Sequence, residues 1–291
     1  MARYAAFVLL WLGGARAQNE RMPAMAPEEL VRQTVAQEVA ASNRPVKHRF
    51  RSRKVTSNGS QTHLYVETTE AMAGMLIAVN DKPVTTEQEQ AEWGHLDWLM
   101  NNPDQLHKKH VREQQDAERS LKIVKALPDA FQYEYAGTEP GTPQIGKPGD
   151  TLVRLKFSPK PNYSPPSHED MVLAGMRGVL LIDADAKRLA EIDGTMFRDV
   201  TFGWGILGRL NQGGHFLVKQ ADVGDGTWDI TEMNLNLTGK ILMVKGFSMI
   251  SDETFSDFQM VPASTTFAQG VAMLKAEREK AATSSPVETK P

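Results

Sequence analysis

His107, His110 and Glu113 follow one another at three-residue intervals in a charged, helix-patterned stretch, which lines two imidazoles and a carboxylate along one helical face. Such a set can bind zinc. It lacks the glutamate inside His-Glu-x-x-His that serves a metalloprotease as base, and Lys108 and Lys109 repel a cation. A solvated helix face explains the spacing first, with His107, His110 and Glu113 as metal candidates behind it. Gly203-Trp204-Gly205-Ile206-Leu207-Gly208 has the glycine spacing of a dinucleotide fingerprint and follows the strand-like Asp199-Val200-Thr201-Phe202. That chemistry needs the glycine turn to open a helix whose N-terminal N–H groups meet a pyrophosphate. Here Asn211-Gln212-Gly213-Gly214 follows almost at once and then an alternating strand, so the glycines read as a sheet corner with room for Trp204.

The other polar clusters have equally plain explanations. His168-Glu169-Asp170 places acids in the first turn of a short helix, where the helix dipole favours them. Asp183-Ala184-Asp185 lacks the glycine and closing glutamate of a calcium loop and reads as a turn. Neither a Gly-x-Ser-x-Gly elbow nor a Ser-x-x-Lys pair is recognisable. The chain has no cysteine, which removes thiol nucleophiles, disulfides and thiolate zinc sites. The residues therefore point to no catalytic group and to no cofactor.

Adaptable apolar side chains are plentiful instead. Met196, Trp204, Phe216, Val218, Trp228, Ile230, Met233, Met243 and Phe247 recur along a strand-patterned region and are candidates for the wall of an apolar cavity. Ordinary core packing explains the same residues. Trp93, Leu96, Leu99 and Met100 could form one face of a helix and are candidates for a lid over such a cavity.

The elements that must position these residues are legible in part. Pro27-Glu28-Glu29 ahead of Leu30, Val31, Val35 and Val39 predicts a helix over residues 27–41. Strands are expected at 49–56 and 62–69 around the turn Ser57-Asn58-Gly59-Ser60, and at 75–79. Residues 85–125 read as a helical pair, with Asn102-Pro103 as cap and first-turn proline of the second helix. Strands follow at 131–135 and 151–157, then a short helix capped by Ser167. Six more are expected at 179–183, 189–197, 215–222, 228–237, 241–247 and 253–260, with a bulge near Thr231-Glu232. The short connections between several of them, Thr238-Gly239-Lys240 included, make neighbours antiparallel. A helix over 263–281 closes the pattern, leaving a frayed tail.

Composition sets the outer bounds. With 291 residues, 41% hydrophobic and 24% charged, the chain has the make-up of a globular protein. Its 33 basic against 36 acidic side chains leave no positive excess for a nucleic-acid backbone. Met1-Ala2-Arg3, an apolar run over 4–12 and Ala15-Arg16-Ala17 before Gln18 have the order of a secretory signal peptide. The run is shorter than the roughly 20 residues of a spanning helix, and no later stretch reaches that length. The expected location is therefore a periplasm or the exterior.

The segment from Gly178 to Pro262 resembles the periplasmic outer-membrane lipoprotein-sorting carriers (LolA/LolB-like) and their superfamily. The resemblance rests on Gly178-Val179-Leu180-Leu181-Ile182-Asp183 with Lys187-Arg188-Leu189 and Glu191-Ile192-Asp193-Gly194, and on Phe216-Leu217-Val218 with Trp228 and Thr238-Gly239-Lys240. It implies an α+β, mainly β fold: a curved antiparallel sheet forming an unclosed half barrel, with helices in or across the hollow and a cavity for acyl chains. The corresponding organisation is a signal peptide at 1–17, one half-barrel domain over 18–281 with a helical insertion at about 85–127, and a disordered tail at 282–291. The leading expectation is a non-catalytic, carrier-like protein whose partner is a hydrophobic ligand or a lipidated protein. The alternatives are an envelope interaction or stress-sensing module with a filled barrel and, behind it, a metal-dependent hydrolase using His107, His110 and Glu113.

Overall fold

The computed structural model describes residues 25–44, 46–167, 170–202, 208–224, 226–241 and 245–284. The expected signal peptide, His168, Glu169, Trp204, Met243 and the tail over 285–291 lie outside the described residues.

Helix α1 (Pro27–Ser42) starts on its proline, with Glu28 and Glu29 at the positive end of its dipole, and buries Leu30 and Val31. Strands β1 (Lys47–Thr56) and β2 (Gly59–Val66) pair tightly up to Thr56 opposite Gly59, whose φ of +114° suits glycine. Then come β3 (Ala73–Val79) and β4 (Lys82–Pro83), joined through Asn80 and Asp81, both at positive φ. Helix α2 (Thr86–Met100) begins with a reciprocal cap between Thr85 and Gln88. Helix α3 (Pro103–Ala130) follows after a bend. Asn102 does not cap α3: its side-chain amide donates to Trp98 O at 2.7 Å and so closes the end of α2.

The remaining strands are β5 (Phe131–Pro140), β6 (Thr151–Pro159), β7 (Met176–Asp183), β8 (Leu189–Met196), β9 (Val200–Phe202), β10 (Gly208–Leu210), β11 (His215–Gly224), β12 (Thr227–Ile241) and β13 (Lys245–Val261), with α4 (Phe267–Ser284) last. The helix expected after Ser167 is a 3-10 turn, Asp170–Gly175. One open sheet results, in the order β4-β3-β2-β1-β13-β12-β11-β8-β7-β6-β5, with the β9–β10 hairpin joined to β12. Every strand pairing in it is antiparallel. The chain is therefore mainly antiparallel β with a few helices. No helix among the described residues is long and apolar enough to cross a membrane.

Three of the expected strands are two in the structure. Thr238-Gly239-Lys240 is no turn: it lies inside β12, where Gly239 pairs with Phe247 and with Leu210 of β10. A Cβ at Gly239 would stand 2.2 Å from Arg209 O and 2.5 Å from the Phe247 ring, so the glycine serves close packing within a strand. The expected bulge is present at Thr231, where the β11–β12 register shifts between Lys219 opposite Glu232 and Gln220 opposite Ile230.

The first strands gather at one edge of the sheet and β5 forms the other, so α2 and α3 carry the chain from edge to edge. With 28 residues, α3 is about 42 Å long. Near its start Leu106 packs among the residues buried by α2, and Glu113 accepts the Met72 N–H at 3.0 Å. Near its end Ile123 and Leu127 pack beside Phe131, whereas all seven residues from 114 to 120 are exposed.

Helix α1 is tied to the sheet by one largely buried ion pair. Glu38 receives Arg188 Nε at 2.9 Å, Arg188 Nη2 at 3.1 Å and the Leu189 N–H at 2.8 Å, with both side chains little more than a tenth exposed. Removing the carboxylate strands a guanidinium and an amide away from water. Glu38→Ala is expected to lower stability by about 3 kcal/mol in urea unfolding, and Glu38→Gln, which keeps an acceptor, by clearly less. Equal losses in the two variants would reduce Glu38 to a packing role.

Candidate functional site

Alternation along β7, β8, β11 and β12 sends one set of apolar side chains to a common face. Register makes them neighbours: Ile192 stands opposite Val218, Phe216 opposite both Gly194 and Leu235, and Leu237 opposite Met249. Beside them lies a cavity of about 550 Å³, closed on another side by Ile123 and Leu127 of α3. The 15 described residues that line it are all apolar or glycine, so none of their side chains can orient a polar ligand. Gly194 makes room for the ring, since a Cβ there would meet Phe216 at 2.5 Å and Met176 at 2.6 Å. Ile123, Ile192, Phe202, Phe216, Leu235 and Leu237 are only half-buried, unlike Leu180 and Ile182 in the adjoining core. The apolar surface continues outward to Met249, which is 50% exposed and sits across from Leu237.

Among the nine residues expected to line a cavity, the structure brings Met196 and Phe216 to this one. Val218 and Met233 pair with each other one step further along the same face, outside the lining. Phe247 packs over Gly239, and Ile230 pairs with Gln220 beyond the bulge. Trp228 points elsewhere: it packs with Leu152, Leu181 and Ala190 and carries the Arg188 guanidinium 5.5 Å above its ring. Trp204 and Met243 lie outside the described residues. The wall residues missed in the sequence had a signal, because Leu235 and Leu237 are in phase with Met233, and Ile123 and Leu127 stand four apart in an otherwise charged helix.

The expected lid residues belong to another cluster. Leu96 and Leu99 are buried with Val66, Met75, Phe267 and Leu274, while Trp93 and Met100 pack at its margin. Arg278 of α4 grips Glu89 through two hydrogen bonds of 3.0 and 2.8 Å, and Lys275 sits 5.5 Å over the Trp93 ring, which ties α2 to α4. Nor do the metal candidates converge. The His107 and His110 rings are 6.4 Å apart, and the Glu113 carboxylate is engaged by Lys109 Nζ at 2.6 Å and by the Met72 N–H. Among the described residues no group of three or more His, Asp or Glu side chains is placed to hold a metal ion. Asp183 is turn chemistry: its Oδ1 accepts the N–H groups of Asp185 and Ala186, and burial pushes its carboxyl pKa up.

A second, polar cleft of about 260 Å³ is bordered by His48, Glu67, Arg188, Trp228 and Asp229. His48 is 4% exposed; its Nδ1 lies 3.3 Å from Asp229 and 3.9 Å from Glu67, and its backbone N–H donates to Glu67 at 2.6 Å. The hydrogen bond to Asp229 is the main cause that raises the His48 pKa, against burial and with help from the charges of Asp229 and Glu67. Burial raises the Glu67 carboxyl pKa too, opposed by the His48 N–H and by the charges of His48 and Lys47.

No protein-family model matches the chain, and no curated protein matches it. Among solved structures, the crystal structure of a DUF1329 family protein from Desulfovibrio piger is similar over 81% of this chain and 93% of that chain, with 9% sequence identity and a TM-score of 0.26. Likeness at that level assigns neither fold nor activity.

The His48 cluster makes a pH-dependent contribution of definite sign. Folded His48 holds its proton more tightly than the unfolded chain, so its stabilisation is complete below the unfolded pKa of about 6.5 and is lost as pH rises through the higher folded value. The stability advantage of the native chain over Asp229→Asn in urea unfolding is expected to be widest near about pH 6 and to shrink toward about pH 8.5. An advantage that stays constant across that range would rule out coupling through the His48 proton.

Proposed function

We propose that this is an exported, non-catalytic protein that binds a hydrophobic ligand, the acyl chains of a lipid or of a lipidated protein, in the cavity between α3 and the sheet. The observation that carries this reading is the cavity itself: about 550 Å³, its described lining residues all apolar or glycine and many of them half-buried. That volume lies within the roughly 300–1,000 Å³ of ligand pockets. Burying a methylene stabilises by about 0.8 kcal/mol, so ten of them contribute about 8 kcal/mol before the cost of association is subtracted. No polar contact is needed for such binding.

In this reading the open sheet is the wall of a half barrel and α3 crosses its open side. The exposed stretch over 114–120, held only at the two ends of the helix, supports that role and makes α3, rather than α2, the element that yields when a ligand enters. The order of charged, apolar and small residues at the chain start supports export to a periplasm or beyond. The resemblance to the lipoprotein-sorting carriers agrees with both.

One observation favours a second reading, an envelope interaction module. Trp98 is 47% exposed, stacks on His95 with ring centres 5.9 Å apart, and faces a cleft of about 470 Å³ with Lys109 and Arg112 between α2 and α3. Exposed tryptophan beside arginine is a common hot-spot pairing.

Native against denaturing mass spectrometry of the mature chain tests the first reading, and an organic-extractable, noncovalently held mass is expected. Leu235→Trp, which fills the cavity from a half-buried position, should weaken binding of a neutral fluorescent diacylglycerol at least about tenfold and leave the urea midpoint nearly unchanged. An empty protein that also refuses the offered lipid, with partner capture lost in Trp98→Ala, would transfer the assignment to the interaction module.

A further inference from the structure

The apolar cavity has a charged neighbour. At the ends of β6 and β8 and the start of β7 lies a groove of about 340 Å³ whose ionisable side chains are Lys160, Arg177 and Arg198. Among the described residues no carboxylate lines it and none of the three cations is ion-paired. Uncharged groups hold them in place. Lys160 Nζ donates to Pro128 O at 2.8 Å, and Arg198 Nη2 donates to Ala174 O at 2.8 Å. The Arg177 and Arg198 guanidinium carbons lie 5.8 and 5.5 Å from the centre of the same Phe197 ring. Both arginines keep most of their N–H groups free in this arrangement.

Acidic side chains outnumber basic ones by 36 to 33, and several of the arginines do find a carboxylate, as Arg188 finds Glu38 and Arg278 finds Glu89. Three positive charges gathered without a counter-charge repel one another and create a local field that attracts an oxyanion. Guanidinium forks match phosphate oxygens in pairs, and a lysine adds a point charge.

The groove and the cavity share one rim. Phe157, Leu173, Met176 and Met196 line the cavity, and the next residue of each, Ser158, Ala174, Arg177 and Phe197, lines the groove. At strand ends a molecule can pass around the rim, with its tail on one face and its head on the other. Cavity walls whose described side chains are all apolar offer a head group no charged partner, so recognition falls to the nearest charged site.

We propose that Lys160, Arg177 and Arg198 bind the phosphate of the same ligand whose acyl chains fill the cavity, so that the cargo is an anionic phospholipid and not a neutral one. This rests on the cavity being an acyl site. Displacement of a neutral fluorescent diacylglycerol from the full mature chain separates the two claims. Short-chain phosphatidic acid is expected to bind at least tenfold more tightly than the diacylglycerol with the same acyl chains. Arg177→Gln/Arg198→Gln is expected to abolish that preference and leave the diacylglycerol affinity unchanged, whereas Leu235→Trp weakens both lipids. Equal affinity of the native chain for the two lipids would overturn the head-group assignment and leave the cavity reading standing. Binding of neither would overturn both. Inorganic phosphate binding as tightly as phosphatidic acid would also overturn the proposal, because the groove would then serve a free anion.

Discussion

Strand β4 lies at one edge of the sheet and β5 at the other, so the chain between them has to lead from edge to edge. A helix meets that demand because it satisfies its own backbone hydrogen bonds wherever it runs, which an unpaired extended segment does not. The 28 residues of α3 supply the span. Its two ends bond and pack while its middle touches little, and its apolar contribution on the far side is limited to a few residues such as Ile123 and Leu127. Two such side chains cannot fill the space facing Ile192, Phe216, Leu235 and Leu237, and the cavity is what they leave over.

The long crossing also explains how polar groups are spent. An open sheet exposes unpaired N–H groups at its edge, a liability in any β protein. Here glutamates from the helices take up N–H groups around β3: Glu92 accepts the Leu76 N–H of that strand at 3.1 Å, and Glu113 the Met72 N–H just before it at 3.0 Å. Glu38 closes the junction of α1 with β8 in the same way. Some of the chain's acidic side chains thus serve edge and junction chemistry, whereas the cations at the cavity rim meet no carboxylate among the described residues.

Much of the fold was legible in order and type. The α1 proline, the helical pair and the antiparallel run all follow from local rules that the structure obeys. Local rules misled where one residue serves two purposes. Gly239 reads as a turn glycine because turns use glycine most, yet the close approach of Arg209 and Phe247 is what requires it. Asn102 stands where a helix cap belongs and bonds backwards instead. For the site, residue type and strand patterning named Met196 and Phe216, which line the cavity, alongside Trp228, whose ring turns to Arg188, and could not separate them.

The sequence by itself determined the class of the protein: mainly β, without thiol chemistry, without a basic surplus, and rich in methionine and aromatic side chains along its strands. Those properties depend on composition and on periods of two and 3.6 residues, which are local. Which apolar side chains surround a void and which fill a core depends on what lies opposite them, and that was decided when α3 joined the two sheet edges and set Ile123 and Leu127 against β8, β11 and β12. The groove beside it is likewise tertiary, because Lys160, Arg177 and Arg198 come from three separate stretches of chain and meet only where β6, β7 and β8 reach a common rim.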